Sequence, residues 1–421
     1  MKTTLRFIDY ILAITLLCSA CQTDSGYKKA IYRIEKELHY IDSIPDFQFT
    51  SDGPIEIALP KEKVTFIPSE VIELDHYVPL ETNDSCLFGN IQKLLIREDR
   101  IFVMDWANKV IMIFDQTGKF KAKIDHAGNG PGEYIRIKDF DVRNGLIYVY
   151  ALNAKMLVYT LNGEWITTKD MAVVFSEFSI CKDGSFFIST SLQRNEFIPE
   201  IDSYSFLLGY PDSIITHKGF KRSEAGNKMS ILAFIDNVTR YGDTLIFIPQ
   251  YSPSVYQLNP DKTLGERYRV LFEKPVTEEA LEKANPEICN RDVVANGYQY
   301  LAFGWLETSE FAFFQYFFPG KDKDMPIQST SCYYSKQSRK TIRCDYADYE
   351  DPAFLYYFLP LTTHQDLFVS VLPPNRIIEN KSRIQEKNAN NPEVLRILNQ
   401  LKEEDNPVLM FFRIKENCPL F

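Results

Sequence analysis

Residues 91–124 read IQKLLIREDRIFVMDWANKVIMIFDQTGKFKAKI. Four short runs rich in β-branched and aromatic residues stand at 91–96, 101–105, 110–115 and 119–124. Polar turns at Glu98-Asp99-Arg100, at 106–109 and at Gln116-Thr117-Gly118 separate them. Runs of this length between tight turns read as four antiparallel strands. The pattern then recurs, with runs at 135–142, 146–150, 155–160 and 164–168. Ile101 corresponds to Ile147, Val110 to Met156 and Gly118 to Gly163, offsets of 46, 46 and 45 residues. Four strands per repeat of about 45 residues is the period of a propeller blade rather than of a helical solenoid.

Later units are less regular. The third unit has runs at 177–181, 185–190, 204–210 and 213–217, and the fourth at 232–240, 244–250, 254–258 and 266–272. The fifth has 298–306, 311–318, 330–334 and 340–346. The sixth has only 354–359, 366–372 and 408–415. Short helices are expected at 277–285 and, from Val394, Leu395, Ile397, Leu398 and Leu401 after Pro392, at 391–402. The chain ends at Phe421 with the sixth unit one strand short. The unassigned run 71–80, VIELDHYVPL, supplies that strand. A ring left open would expose sheet edges. The expected fold is therefore all-β: a six-bladed β-propeller closed by residues 71–80 pairing with 408–415.

The N-terminus reads as an export signal. Lys2 and Arg6 precede an apolar run at 10–17, and Ser19-Ala20 precede Cys21. That run is shorter than the about 20 residues a spanning helix needs and has the size of a signal-peptide core. The arrangement resembles a bacterial lipobox with Cys18 where Leu is usual, which implies cleavage before Cys21 and lipid attachment there. Gln22 after the cysteine implies the outer membrane, with the leaflet left open. The expected division is signal peptide 1–20, lipidated tether 21–63 with a short helix near 28–39, and propeller 64–421.

Composition agrees with this reading. The chain holds 31 Phe and 24 Tyr, residues that suit half-buried pleated surfaces. A net charge of −10 with no long basic run argues against nucleic acid as a partner. Cysteines 86, 181, 289, 332, 344 and 418 form no C-x-x-C pair, so zinc and redox motifs are weakly supported. Cys332 and Cys344 are symmetric about a turn at 336–339. They read either as a hairpin disulfide or as buried small hydrophobes, the second preferred.

Several elements occur in a fixed order: Val78-Pro79-Leu80-Glu81-Thr82, Phe114-Asp115 with Gly118-Lys119, Gly128-Asn129-Gly130-Pro131-Gly132-Glu133-Tyr134, Asp139-Phe140-Asp141, and Asp405-Asn406-Pro407-Val408-Leu409. Over about residues 64–416 the chain resembles the bacterial six-bladed β-propeller lipoproteins of uncharacterised function, related to NHL-type propellers. The resemblance implies the fold and the lipid anchor. It implies no reaction.

In a propeller the second-to-third-strand loops and the inter-blade connections share one face, where ligands are generally bound. Here that face would collect 106–109, 126–134, 151–153, 250–253 and 318–323, aromatic and polar loops suited to a sugar or peptide. The candidate contacts are Trp106, Asn108, His126, Glu133, Tyr134, Asn153 and Tyr251. For Glu133 the preferred role is acceptance of backbone N–H bonds inside its own glycine-rich turn. For His126 it is simple solvation. Pro131 and the lack of a following helix separate that turn from a dinucleotide fingerprint.

No catalytic residue, metal ligand set or cofactor motif stands out. Residues 179–187 carry Asp183-Gly184 without the spacing or tryptophan of a sialidase box, no G-x-S-x-G element exists, and the five histidines have no metal spacing. Asp139, Asp141, Asn153, Asp236 and Asn237 fall near inner strands. They leave open a hydrolase or lyase using channel carboxylates, with Ca²⁺ as the metal in that case. A further reading is a structural subunit of an envelope complex. The preferred reading is a non-catalytic envelope lipoprotein whose loop face binds a glycan, peptide or partner protein.

Overall fold

A computed structural model of the chain describes residues 44–62, 64, 71–152, 154–191, 193–227, 237–302, 304–320, 327–344, 359–415, 418, 420 and 421. The export segment with Cys21, the helix expected near 28–39, Asn153 and Asp236 lie outside these residues.

Six antiparallel sheets follow one another along the chain. Blade one is Lys93–Arg97, Arg100–Asp105, Val110–Asp115 and Phe120–Ile124. Blade two is Ile137–Arg143, Leu146–Ala151, Lys155–Thr160 and Trp165–Asp170. Both match the repeat read from the sequence. Their first turns use left-handed backbone at Glu98 and Asp99 (φ 47° and 59°) and at Asn144 and Gly145 (φ 53° and 73°). Two successive positive φ values give the turn whose twist matches that of the flanking strands. Blade three runs from Glu177–Ile180 to Ile214–Lys221, and blade four from Val238–Tyr241 to Leu264–Leu271.

Six apolar clusters prove the ring, one at each junction between neighbouring blades. The strand Arg100–Asp105 shows how one sequence serves two junctions. Phe102 and Met104 pack toward blade two, while Ile101 and Val103 pack toward blade six. Side chains alternate across a strand, so a strand buried on both faces must be apolar throughout.

Closure occurs as the sequence implies. Ile72–Pro79 pairs antiparallel with Val408–Ile414, from Ile72 opposite Ile414 to Pro79 opposite Val408, with a bulge between Leu74 and His76. Blade six then contains Thr362–His364, Leu367–Leu372, Val408–Ile414 and Ile72–Pro79. Among the described residues its first strand is Thr362–His364; of the run expected at 354–359, residues 354–358 lie outside the described residues. In blade five the expected first strand is broken into Tyr300–Leu301 and Leu306–Glu307, both paired with Phe311–Pro319.

The N-terminal segment also departs from the expected tether. Ile55–Ala58 adds a fifth strand to blade four, parallel to Leu264–Leu271. Before it, Asp46 and Phe49 bridge to Lys218 and Leu264 on the rims of blades three and four. Phe47 and Ile57 are buried, which gives this strap a place in the core that its polar surroundings in sequence conceal.

The helix expected at 391–402 is Pro392–Gln400. Asn391 accepts from the Val394 N–H at 3.2 Å, and Val394, Ile397 and Leu398 pack on the core of blades five and six. Two short helices, Pro374–Glu379 and Lys381–Lys387, precede it. The helix expected at 277–285 is Glu278–Lys283, followed by Cys289–Ala295. Cys332 pairs in register with Arg343, whereas Cys344 pairs with Ser331. The two positions are thus offset by one residue in the register of the hairpin rather than directly opposed.

Candidate functional site

The loop face expected to bind ligand is largely engaged with itself. Tyr134 is fully buried, and its hydroxyl donates to the Lys109 and Ile124 carbonyls at 2.7 and 3.0 Å. It ties the connection between blades one and two to blade one. Tyr251 is buried against Tyr300 and donates to Asn290 Oδ1 at 2.6 Å. These two rings pack the protein rather than face solvent. Glu133 accepts from the Gly130 N–H at 2.7 Å, the intra-turn role preferred from sequence. Asn108 donates from its side chain to Asp105 at 2.7 Å, fixing its own turn. Trp106 lies 4.9 Å under the Arg136 guanidinium, and the half-buried His126 ring is 5.9 Å from Tyr159.

The channel carboxylates are also occupied. Asp139 accepts from Lys93 at 2.6 Å and from the Phe178 N–H at 2.9 Å. Asp141 accepts from Ser179 Oγ at 3.0 Å and from the N–H groups of Ile180 and Val142 at 2.8 and 2.9 Å. Arg240 stands 3.4 Å from it, with both side chains buried. Burial alone would raise the Asp141 pKa, but Arg240, Arg97 and the Ile180 N–H outweigh it and hold the carboxyl below its ordinary value. These bonds link the innermost strands of blades one to four. They answer to the structural reading of the acidic residues, in which they satisfy inner-strand donors. Asn237 donates its N–H to Glu177 at 2.7 Å in the same belt. Lys138 was not singled out from sequence. Its ammonium lies 3.5 Å from the Phe175 carbonyl, and burial lowers its pKa to about 8.

A cleft of about 770 Å³ opens on the opposite face, where blades five, six and one meet. Its walls come from first-to-second-strand turns, Ser309-Glu310 of blade five and Gln365-Asp366 of blade six, and from Gln116-Thr117 of blade one. Blade five is locked to blade six there: Asp366 accepts from the Ser309 N–H at 2.6 Å and from its hydroxyl. Closure of the ring brings the remaining groups together. Arg413 donates to Asp75 at 2.9 Å, and Asp75 lies 2.6 Å from His76 Nδ1. The His76 ring stacks on Phe411 with centroids 4.3 Å apart, and His364 meets the same phenyl edge-on at 6.3 Å. The His76 bond lowers the Asp75 pKa most; burial opposes it, and Arg413 adds to the lowering, so the carboxyl sits below its ordinary value. Burial lowers the His364 pKa, so its imidazole is neutral at pH 7. The side chains of Asp75, His76 and Arg413 remain 34, 40 and 49 % exposed. Two positions of the Asp75–Arg413 pair are 338 residues apart in sequence, so no local motif announced them.

Among the described residues no group of three His, Cys, Asp or Glu is arranged to hold a metal ion, and no helix is long and apolar enough to cross a membrane.

Comparison with known proteins places this geometry in a family. The profile described as a domain of unknown function, DUF4934, matches residues 56–413. The chain belongs to the DUF4934 family. This DUF4934 protein is similar in structure to a Bacteroides fragilis protein assigned to the exported class, with a TM-score of 0.67 and 20 % identity over 86 % of this chain and 100 % of that one. A duf4221 family member from Bacteroides vulgatus gives a TM-score of 0.48 and 12 % identity over 82 and 98 % of the two chains. Streptogramin B lyase gives 0.39 and 9 % over 82 and 98 %. The first likeness shows the fold. A search of curated proteins finds no match.

Proposed function

We propose that this DUF4934 protein is an exported cell-envelope lipoprotein, anchored through Cys21 in the outer membrane, whose propeller binds a polar ligand without transforming it. The ligand is a glycan, a peptide or a segment of a partner protein. The observation that carries the reading is the cleft at blades five, six and one. Its Asp75, His76 and Arg413 are held in fixed geometry by one another yet remain open to solvent. Preorganised donors and acceptors around an aromatic floor suit an uncharged or zwitterionic polar ligand. The loop face proposed from sequence retains Trp106, Asn108 and His126 as a second surface for partner contact. A non-catalytic role is supported by Asp139 and Asp141, whose oxygens are committed to internal donors.

The test is a thermal-shift screen of the full chain against defined soluble oligosaccharides and peptides. Hits are then titrated against Arg413→Ala and Trp106→Ala. Binding weakened by Arg413→Ala and unchanged by Trp106→Ala supports the cleft. The reverse pattern, or turnover of a hit, overturns it. Membrane release of a Cys21→Ala chain in cells tests the anchor, and retention of that variant in the membrane contradicts it.

A further inference from the structure

The first turn of blade one divides its side chains between two neighbours. Ile96 and Ile101, opposite each other in register, face the cleft and pack toward blade six. Arg97 and Arg100, the next pair outward, must therefore lie on the other face, toward blade two. Leu95, two residues before Arg97, packs into the junction of blades one and two and confirms this side.

Both arginines have a buried donor that finds no acceptor: Nε of Arg97 and Nη1 of Arg100. The nearest carboxylate to Arg97 is Asp141, at 3.8 Å, beyond hydrogen-bond length. Asp141 is largely engaged elsewhere: Oδ2 receives Ser179 and Ile180 and lies beside Arg240, and Oδ1 receives the Val142 N–H. Arg143, the other cation beside Arg97, is paired with the exposed Asp243 at 3.1 Å. For Arg100, among the described residues, no hydrogen bond or ion pair to its side chain exists. A directly opposed pair on one face holds its Cβ atoms about 5 Å apart. Two guanidinium groups carried on one face by such a pair offer planar forks suited to an anion with two or more oxygens. A buried donor without an acceptor is an unfavourable state that such an anion relieves.

We infer that Arg97 and Arg100 form a binding site for a small oxyanion, a carboxylate or phosphate group, at the junction of blades one and two. The site is separate from the cleft, which lies across the sheet of blade one, and does not depend on the ligand proposed there.

Isothermal titration of the full chain in Tris chloride with sodium acetate and with inorganic phosphate tests the site. Saturable binding of one equivalent of either anion is expected, with affinity falling at least tenfold in Arg97→Gln and in Arg100→Gln. Arg396→Gln, on the exposed side of its helix, is expected to leave it unchanged. Acetate alone binding assigns a carboxylate, and phosphate alone a phosphate. Arg100→Met provides the second readout. In anion-free buffer its Tm should equal or exceed that of the parent chain, and only the parent Tm should rise when the anion is added. No saturable binding of either anion, unchanged affinity in both Gln variants, or a lower anion-free Tm for Arg100→Met would overturn the site.

Discussion

Blades six and four each take a strand from the segment before blade one, and the two additions differ in kind. In blade six, Ile72–Pro79 lies antiparallel to Val408–Ile414 and buries Val71, Ile72, Val78 and Leu80. Those side chains enter the junctions with blades five and one, so the strand is part of the ring's core. In blade four, Ile55–Ala58 lies parallel outside a sheet that already has four strands, and of its four residues only Ile57 is buried. One strand completes the closed set of junctions; the other reinforces a rim. Pairing pattern matters less here than which side chains the strand commits.

The sharpest way to separate the two is by truncation. A chain beginning at residue 81 loses Val71, Ile72, Val78 and Leu80 in addition to Phe47 and Ile57, and exposes two sheet edges. It is expected to lose its cooperative thermal transition altogether. A chain beginning at residue 60 loses Phe47 and Ile57 and should still melt cooperatively, about 3–6 kcal/mol less stable. Equal behaviour of the two in a melting experiment would erase the distinction.

The belt of inner strands comes next in size. Asp141→Asn leaves Arg240 buried beside a neutral group and should cost about 3–5 kcal/mol in urea unfolding at pH 7. Because the folded state holds the Asp141 carboxyl below its unfolded value, its contribution is complete above the unfolded pKa and fades as pH falls through the folded one. The variant should therefore show a flatter acid limb, and an unchanged acid limb would count against the belt.

On the strap, Phe47→Ala should cost about 3 kcal/mol. Gly219→Ala should act on the same contact to a smaller degree, about 1–3 kcal/mol, since its Cβ would stand 2.8 Å from the Phe47 ring. Additive losses in the double variant would mean that the two do not touch. The smallest effect concerns Lys138. Its pKa of about 8 lies below the unfolded value, so its penalty is fully present at lower pH and is relieved as pH rises from about 8 toward 10. Lys138→Met should raise stability at pH 7 and remove that alkaline rise, read from urea midpoints across the pH range.

How much the sequence disclosed follows the same division. Blades one and two were legible because their turns are local: Asn144-Gly145 and Glu98-Asp99 fix register without help from distant chain. The closing strand was legible by count, since a ring has no place for an odd edge. Blade six was read poorly because three helices interrupt it between Leu367–Leu372 and Val408–Ile414. Its short first strand, Thr362–His364, carries little pattern of its own. The strap was missed because Ile55-Glu56-Ile57 alternates over too few residues to stand out.

Two of the candidate contacts, Tyr134 and Tyr251, were read as exposed for a different reason. An aromatic loop residue reads the same whether it faces solvent or plugs a junction, and Tyr134 and Tyr251 do the latter. The cleft, by contrast, joins Asp75 and His76 to Arg413 and Asp366, groups that become neighbours only once the first and last strands meet.

Native-state hydrogen exchange reads that meeting directly. Amides of Ile72–Val78 should exchange only through global unfolding, with the same free energy as those of Val408–Ile414, while Ile55–Ala58 exchanges through a smaller, local opening. Exchange of Ile72–Val78 ahead of Val408–Ile414 would contradict a ring sealed by that strand.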